Sequence, residues 1–297
     1  MNTISFIFAH NKSDKWSTPL SIVNDFKRRG WKTSIYSLTD SDQNYTDQNI
    51  FQLLKTNPDI IMHMDWGWHN SPTLLSLRST GAYCVMESGD DPQQFFKNAI
   101  KAPYFDLILS PDASSAWHYL TEGYRAFWFP HFADATIYKP LNKKPIYMGV
   151  CSRGMNRYAP IIDRLAINLP HDIKNENGWV GKDHKKFLNS GKVVLQQSRH
   201  KEITRRIFEG MAAGRMVLAD RLSQNTRINE LFVENQDIVY YDNEYDCLEK
   251  LIYYCHKNPE ERERIARNGH LRVMNNHTTA HRVDFIIGMW ERHKSPK

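Results

Sequence analysis

The chain has 297 residues, is 41% hydrophobic and 12% aromatic, and carries a formal net charge of +6, which is enough apolar material for two domains of ordinary size. No apolar run approaches the roughly 18–20 residues that span a bilayer, which argues against a helical membrane protein, and the opening MNTISFIFAH has no basic leader and reads as a strand, not a signal peptide. Cys84, Cys151, Cys247 and Cys255 lack metal-ligand spacing, so they are expected to stay reduced in a cytoplasmic protein.

TISFIFA (3–9) is an apolar, β-rich run, and residues 17–30 read as a helix ending at Gly30. KTSIYSL (32–38) predicts a second strand, residues 47–56 a helix and PDIIMHM (58–64) a third strand. Pro72 opens a helix over 71–79. AYCVMES (82–88) predicts a strand, 92–100 a helix and FDLILS (105–110) a strand. Residues 112–123 form a helix with Asp112 as cap and Gly123 as stop, and RAFWF (125–129) closes the half. Strands alternating with short helices imply a parallel sheet, whose ligands sit beyond the carboxyl ends of the strands.

Three strand-to-helix loops are therefore of interest: His10–Ser17, Asp65–Asn70 and Glu87–Pro92. Aromatic faces with carboxylates suit a sugar, because rings stack on its apolar side and carboxylates accept from hydroxyls. His10, Asp65, Trp66 and Trp68 are the candidates for acceptor binding. Asp90, Asp91 and His69, with Asp65, are the groups able to take a proton from an attacking hydroxyl. Competing readings stay open: helix capping for Asp90 and Asp91 ahead of Pro92, inter-domain packing for the two tryptophans, and a satisfied core position for His10.

Residues 129–145 carry three prolines and no clear period, and read as a linker between two domains. IYMGVCS (146–152) begins a second alternating unit, followed by a loop and helix bearing Arg153 and Arg157, which suit a diphosphate or are ordinary surface charge. A helix over 183–190 and the strand KVVLQQ (192–197) lead to LQQSRHKEITRRIFEGMAAGRMVLAD (195–220). There a loop with Ser198, Arg199, His200 and Lys201 precedes a helix whose apolar face holds Ile203, Ile207, Phe208 and Met211; Gly214 stops it and MVLA is a buried strand. A helix N-terminus beside basic residues is a natural phosphate site. DIVYY (237–241) is a strand, and helices follow over 243–258, 259–277 and 279–293. Through Pro140 there are 12 basic and 14 acidic residues; from Leu141 onward there are 27 and 19. Anion-binding potential is thus concentrated in the second half.

Three stretches in order resemble one family: FPHFADATIYKP; RIFE (206–209) followed by MAAGRMVLAD; and INELFVENQDIVYYDNEYDCLEKLIYYCHKNPEERERIARNGHLRVMNNHT with Arg282 shortly after. Together they resemble the group-one glycosyltransferases of the GT-B fold, in particular the CgeB-like branch. The resemblance implies an α/β fold of two Rossmann-like domains with parallel sheets facing a cleft: an acceptor domain over 1–138, a nucleotide-sugar domain over 139–278, and a C-terminal helix (279–297) crossing back to the first. It implies donor contacts from Arg153, Arg157, Ser198, Arg199, His200, Glu202, Arg206 and Glu209, with Glu209 on the ribose hydroxyls, Arg153 and Arg157 holding the leaving diphosphate in place of a metal, and Gly214 permitting close packing of helix on strand. No cofactor is implied beyond the donor substrate, expected to be a UDP-sugar. Two departures leave the stereochemistry open: the position eight before Glu209 is Lys201, with Glu202 the nearest acid, and residues 10–19 lack a glycine-rich loop. A retaining enzyme needs no obvious protein base, and an inverting one would draw on Asp90 or Asp91. The acceptor is a glycan, a lipid-linked sugar or a protein, with peripheral membrane contact kept open. Two alternatives stand beside this reading: a viral-type enzyme glycosylating a hydroxylated base in DNA, favoured by a pI near 9.0 and opposed by the acidic balance of the first half; and a non-catalytic nucleotide- or carbohydrate-binding protein.

Overall fold

The computed structural model describes residues 1–9, 17–37, 51–64, 71–153 and 159–295. The chain divides into two compact units, Met1–Pro130 with Ala280–Lys297, and His131–Thr279. The first contains β1 (Thr3–Phe8), α1 (Thr18–Arg28), β2 (Lys32–Ser37), a helical turn α2 (51–54), β3 (Ile60–His63), α3 (Ser71–Arg78), β4 (Tyr83–Glu87), α4 (Phe95–Ala99), β5 (Leu107–Ser110), α5 (Ala113–Thr121) and β6 (Ala126–Trp128). Its sheet has the order β2-β1-β3-β4-β5-β6, all parallel. Strands β3 and β5 are buried along their whole length, as parallel strands covered on both faces must be. Ser17 Oγ accepts from Leu20 N to cap α1, and Asp112 accepts from Ser115 N at 2.7 Å to cap α5.

The second unit contains β7 (Tyr147–Arg153), α6 (Pro160–Asn168), β8 (Ile173–Asn177), α7 (Gly181–Ser190), β9 (Gly191–Gln196), α8 (Arg205–Ala212), β10 (Met216–Asp220), α9 (Ile228–Leu231), β11 (Val239–Tyr241), α10 (Glu244–Ile252) and α11 (Pro259–Asn276). Its parallel sheet runs β11-β10-β9-β7-β8. A π-turn over Tyr253–Lys257 extends α10. Strand β8 escapes the sequence reading because only Ile173 in IKNEN is fully buried; an edge strand need not be apolar.

The last helix, α12 (Thr279–Lys294), packs on the first unit. Trp290 meets Trp31 edge-on at 5.0 Å, and Phe285 lies against Phe127 and Phe129. Arg29 pairs with Asp284, and the buried Arg282 donates from Nε to Pro130 O at 2.8 Å. Burial lowers the Arg282 guanidinium to about 10.

The stretch read as a linker is largely folded into the second unit. Tyr138 is fully buried, Ala133 N donates to His277 O, and Leu141 N donates to Asn189 Oδ1 at 2.9 Å. Irregular sequence here reflects backbone held by separate contacts, the Ala133–Thr278 bridge and the Asn189 side chain, rather than by a continuous ladder. The four cysteines are buried, and burial pushes the Cys84 and Cys247 thiols up to about 12, so both remain protonated thiols.

Candidate active site

Strands β7, β9 and β10 are parallel neighbours, so Arg153, the loop 197–204 and Asp220 all lie at one edge of the second sheet. Asp220 organises that edge. Its Oδ1 accepts from Ser198 N at 2.8 Å, and its Oδ2 accepts from Ser198 Oγ at 2.7 Å and Lys201 Nζ at 2.9 Å. Lys201 adopts a left-handed backbone, φ 58°, which turns the chain there. His200 N donates to Glu202 Oε2 at 2.6 Å. Arg199 and His200 are left exposed on the loop.

Because Asp220 holds this loop, α8 starts later than the periodicity predicts. Thr204 is extended and the helix opens at Arg205. Ile203 is a buried loop residue rather than part of the helix, and Glu209 lies a little over one turn into it. Arg206 stands half-buried in the first turn.

Glu209 is buried. Its Oε1 is 3.2 Å from Arg205 Nε and its Oε2 is 3.5 Å from His184 Nδ1 on α7. The Tyr138 hydroxyl is 3.0 Å from the same His184 nitrogen and also bonds Glu209. Burial lowers the His184 pKa; Glu209 opposes that shift and Arg206 and Arg205 reinforce it. Burial, then the Glu209 charge, raises the Tyr138 phenol. The carboxylate therefore sits between a neutral imidazole, a protonated phenol and one guanidinium. His184, Tyr138 and Asp220 were not singled out from the sequence, and Tyr138 lies 46 positions from His184. The one sequence signal was positional: Asp220 ends an apolar strand.

One glycine sets the height of α8. A Cβ on Gly210 would lie 3.0 Å from Val194 and 3.1 Å from Val217, so this residue lets the helix approach β9 and β10. That role was expected of Gly214. Gly214 instead has φ +72°, and its Cβ position is 2.7 Å from the Pro140 ring; it makes the turn into β10.

In the first unit, the loop after β4 separates its two aspartates. Asp91 is buried and accepts from Ser88 Oγ at 2.6 Å, Asn98 Nδ2 at 2.8 Å, Ser110 Oγ at 3.0 Å and Tyr119 Oη at 3.4 Å. Burial raises its pKa, with the hydrogen bonds from Ser88, Asn98 and Ser110 opposing. Its oxygens are committed to four donors, so Asp91 is a structural carboxylate and not an available base. Asp90 is exposed, with φ 58°. Neither aspartate caps α4, which starts after Gln94 with no side-chain cap. Near the same edge, His63 is buried at the end of β3 against Phe105, its pKa well below 6.5 through burial and the charge of Lys101.

His10, Asp65, Trp66, Trp68, His69 and Arg157 lie outside the described residues, as does the side chain of Arg153. Among the described residues no group of three or more His, Cys, Asp or Glu is placed to hold a metal ion.

Residues 162–288, from α6 into α12, match the family model described as glycosyl transferase-like. They contain the whole Asp220–Glu209–His184 arrangement. These residues form a glycosyl transferase-like domain, within a chain that has the GT-B fold. The full chain is similar in fold to a glycosyltransferase from Rickettsia africae, at TM-score 0.69 and 13% identity, covering 99% of each chain. It is similar to Anabaena HepE in complex with UDP and glucose, at TM-score 0.68 and 13% identity, covering 98% of this chain and 100% of that one. Sucrose-phosphate synthase from Thermosynechococcus elongatus superposes at TM-score 0.66 and 9% identity, covering 99% of each chain. No curated protein sequence matches the chain.

Proposed function

We propose that this protein moves a sugar from a nucleoside-diphosphate sugar, with UDP as the nucleotide, to a hydroxyl of a glycan, a lipid-linked sugar or a protein, without a metal ion. The observation that carries this reading is the Glu209 carboxylate fixed at the opening of α8, beside a basic loop at the carboxyl edge of the sheet. In this reading the Glu209 carboxylate exchanges its Arg205 contact for the ribose hydroxyls of the donor. The α8 N-terminus, Arg206 and Arg199 place positive charge where a departing diphosphate gains negative charge. Arg153 ends β7 at the same edge. The fold likeness to HepE, which was solved with UDP and glucose, supports UDP as the nucleotide.

Acceptor recognition belongs in this reading to the loops after β1, β3 and β4, with Asp90 as the proton acceptor if the reaction inverts configuration. The test is thermal stabilisation by a panel of nucleoside diphosphates, followed by transfer from the matching sugar nucleotide with and without EDTA. UDP is expected to raise Tm by mass action and EDTA to leave turnover unchanged. No stabilisation by any diphosphate would overturn the donor assignment, and loss of activity in EDTA restored by Mg²⁺ would overturn the metal-free clause.

A further inference from the structure

The outward face of the first unit's helix layer is apolar where the fold does not require it. Strands β3 to β6 advance in one direction across the sheet, so right-handed crossovers place α3, α4 and α5 on one face. Leu53 of α2, Leu74 and Leu77 of α3 and Tyr119 of α5 point inward and share one core. Outward from the same layer stand Phe51, Leu75, Phe96, Ile100, Trp117 and Leu120, all exposed; Phe96 is 83% and Trp117 66% accessible. Helices α4 and α5 are neighbours, since the Phe95 ring is 5.6 Å from His118 and 4.9 Å from Tyr119. Scattered single apolar residues need no explanation, but six of them on one helix layer do.

Inside these helices the charged side chains are basic, with Asp112 capping α5 and acids otherwise lying outside them. Lys55 follows Phe51, Arg78 follows Leu75 and Lys97 follows Phe96, each within one turn and each exposed. The sequences of α2 to α5 (FQLL, SPTLLSLR, FFKNA and ASSAWHYLT) contain no aspartate or glutamate; Glu122 stands just past α5.

We propose that this face docks on a membrane surface carrying anionic lipids. Exposed tryptophan and phenylalanine insert at headgroup depth, where their rings are stable, and lysine and arginine stems reach anionic headgroups beside them. A second copy of the chain fits poorly. A two-fold contact through this face would set Lys55, Arg78 and Lys97 against themselves, with no acid on the four helices to pair them. The inference is independent of the donor assignment, because lipid binding needs no sugar nucleotide.

Co-sedimentation of the full chain with vesicles tests it. Vesicles of phosphatidylcholine with 30% phosphatidylglycerol should bind the protein at least tenfold more strongly than pure phosphatidylcholine. Phe96→Glu combined with Trp117→Glu, both on the surface, should reduce that binding at least tenfold with Tm unchanged. Failure of the wild-type chain to bind anionic vesicles would overturn the proposal. So would equal binding by the double variant, or a dimer in sedimentation equilibrium that the double variant dissolves.

Discussion

His184 Nδ1 stands 3.5 Å from Glu209 Oε2, with both side chains closed off from solvent. Distance alone would make this an ion pair. Burial, however, holds the imidazole below its ordinary pKa of 6.5 despite the carboxylate, so the neutral ring acts as a hydrogen-bonding wall. Unfolding restores the ordinary value, so below about pH 6.5 the unfolded chain binds more protons and stability falls with pH. Thermal unfolding measured from pH 7.5 to pH 5 should show a steeper loss for the wild-type chain than for His184→Asn. Parallel curves would remove His184 from the pH response. His63, shifted the same way in the other unit, is present in both proteins and cancels.

Glu209→Gln keeps the shape and one acceptor while removing the charge. It should weaken UDP binding by about tenfold, roughly 1.4 kcal/mol, measured by calorimetry. Glu209→Ala is a poorer probe, because breaking a buried charged pair costs about 3–5 kcal/mol, somewhat less here since Arg205 is one-third exposed. Unchanged UDP affinity in Glu209→Gln would take the carboxylate out of the donor site.

The neighbouring aspartates should separate cleanly. Asp91→Asn leaves buried donors without their acceptor and should lower stability by about 1–3 kcal/mol. Asp90→Asn should leave Tm unchanged and, in an inverting reaction, lower kcat by roughly 100-fold or more. Full turnover in Asp90→Asn would show that the reaction draws its proton acceptor from elsewhere.

Trp290 is 5% exposed and packed edge-on against Trp31. Trp290→Ala should destabilise the first unit by about 3–5 kcal/mol. Truncation after residue 278 should abolish its cooperative unfolding, seen as loss of one calorimetric transition. A truncated chain melting like the full one would show that α12 is dispensable.

The strands were legible because parallel sheets buried on both faces demand apolar runs, as in TISFIF and LILS. Strand β8 was not, because IKNEN carries that signal only in Ile173. In the site, Glu209 and Arg206 were readable from their setting in RIFE. Their companions were not, because Asp220 reaches that edge by strand order and Tyr138 and His184 by tertiary packing between positions far apart in sequence. Nor could adjacent identical residues be ranked: one backbone turn with φ 58° at Asp90 buries Asp91 and exposes its neighbour.

The first unit is assembled from both ends of the chain. Its closing piece, from Ala280 onward, is synthesised only after the whole of the second unit. At about 5–20 residues per second, the segment between Pro130 and Ala280 takes roughly 7–30 s to synthesise. For that interval Trp31, Phe127 and Phe129 lack their cover. The nascent chain therefore carries a greasy, half-built first unit while the second completes itself, and its yield in the cell should respond to chaperone supply more than its final stability suggests.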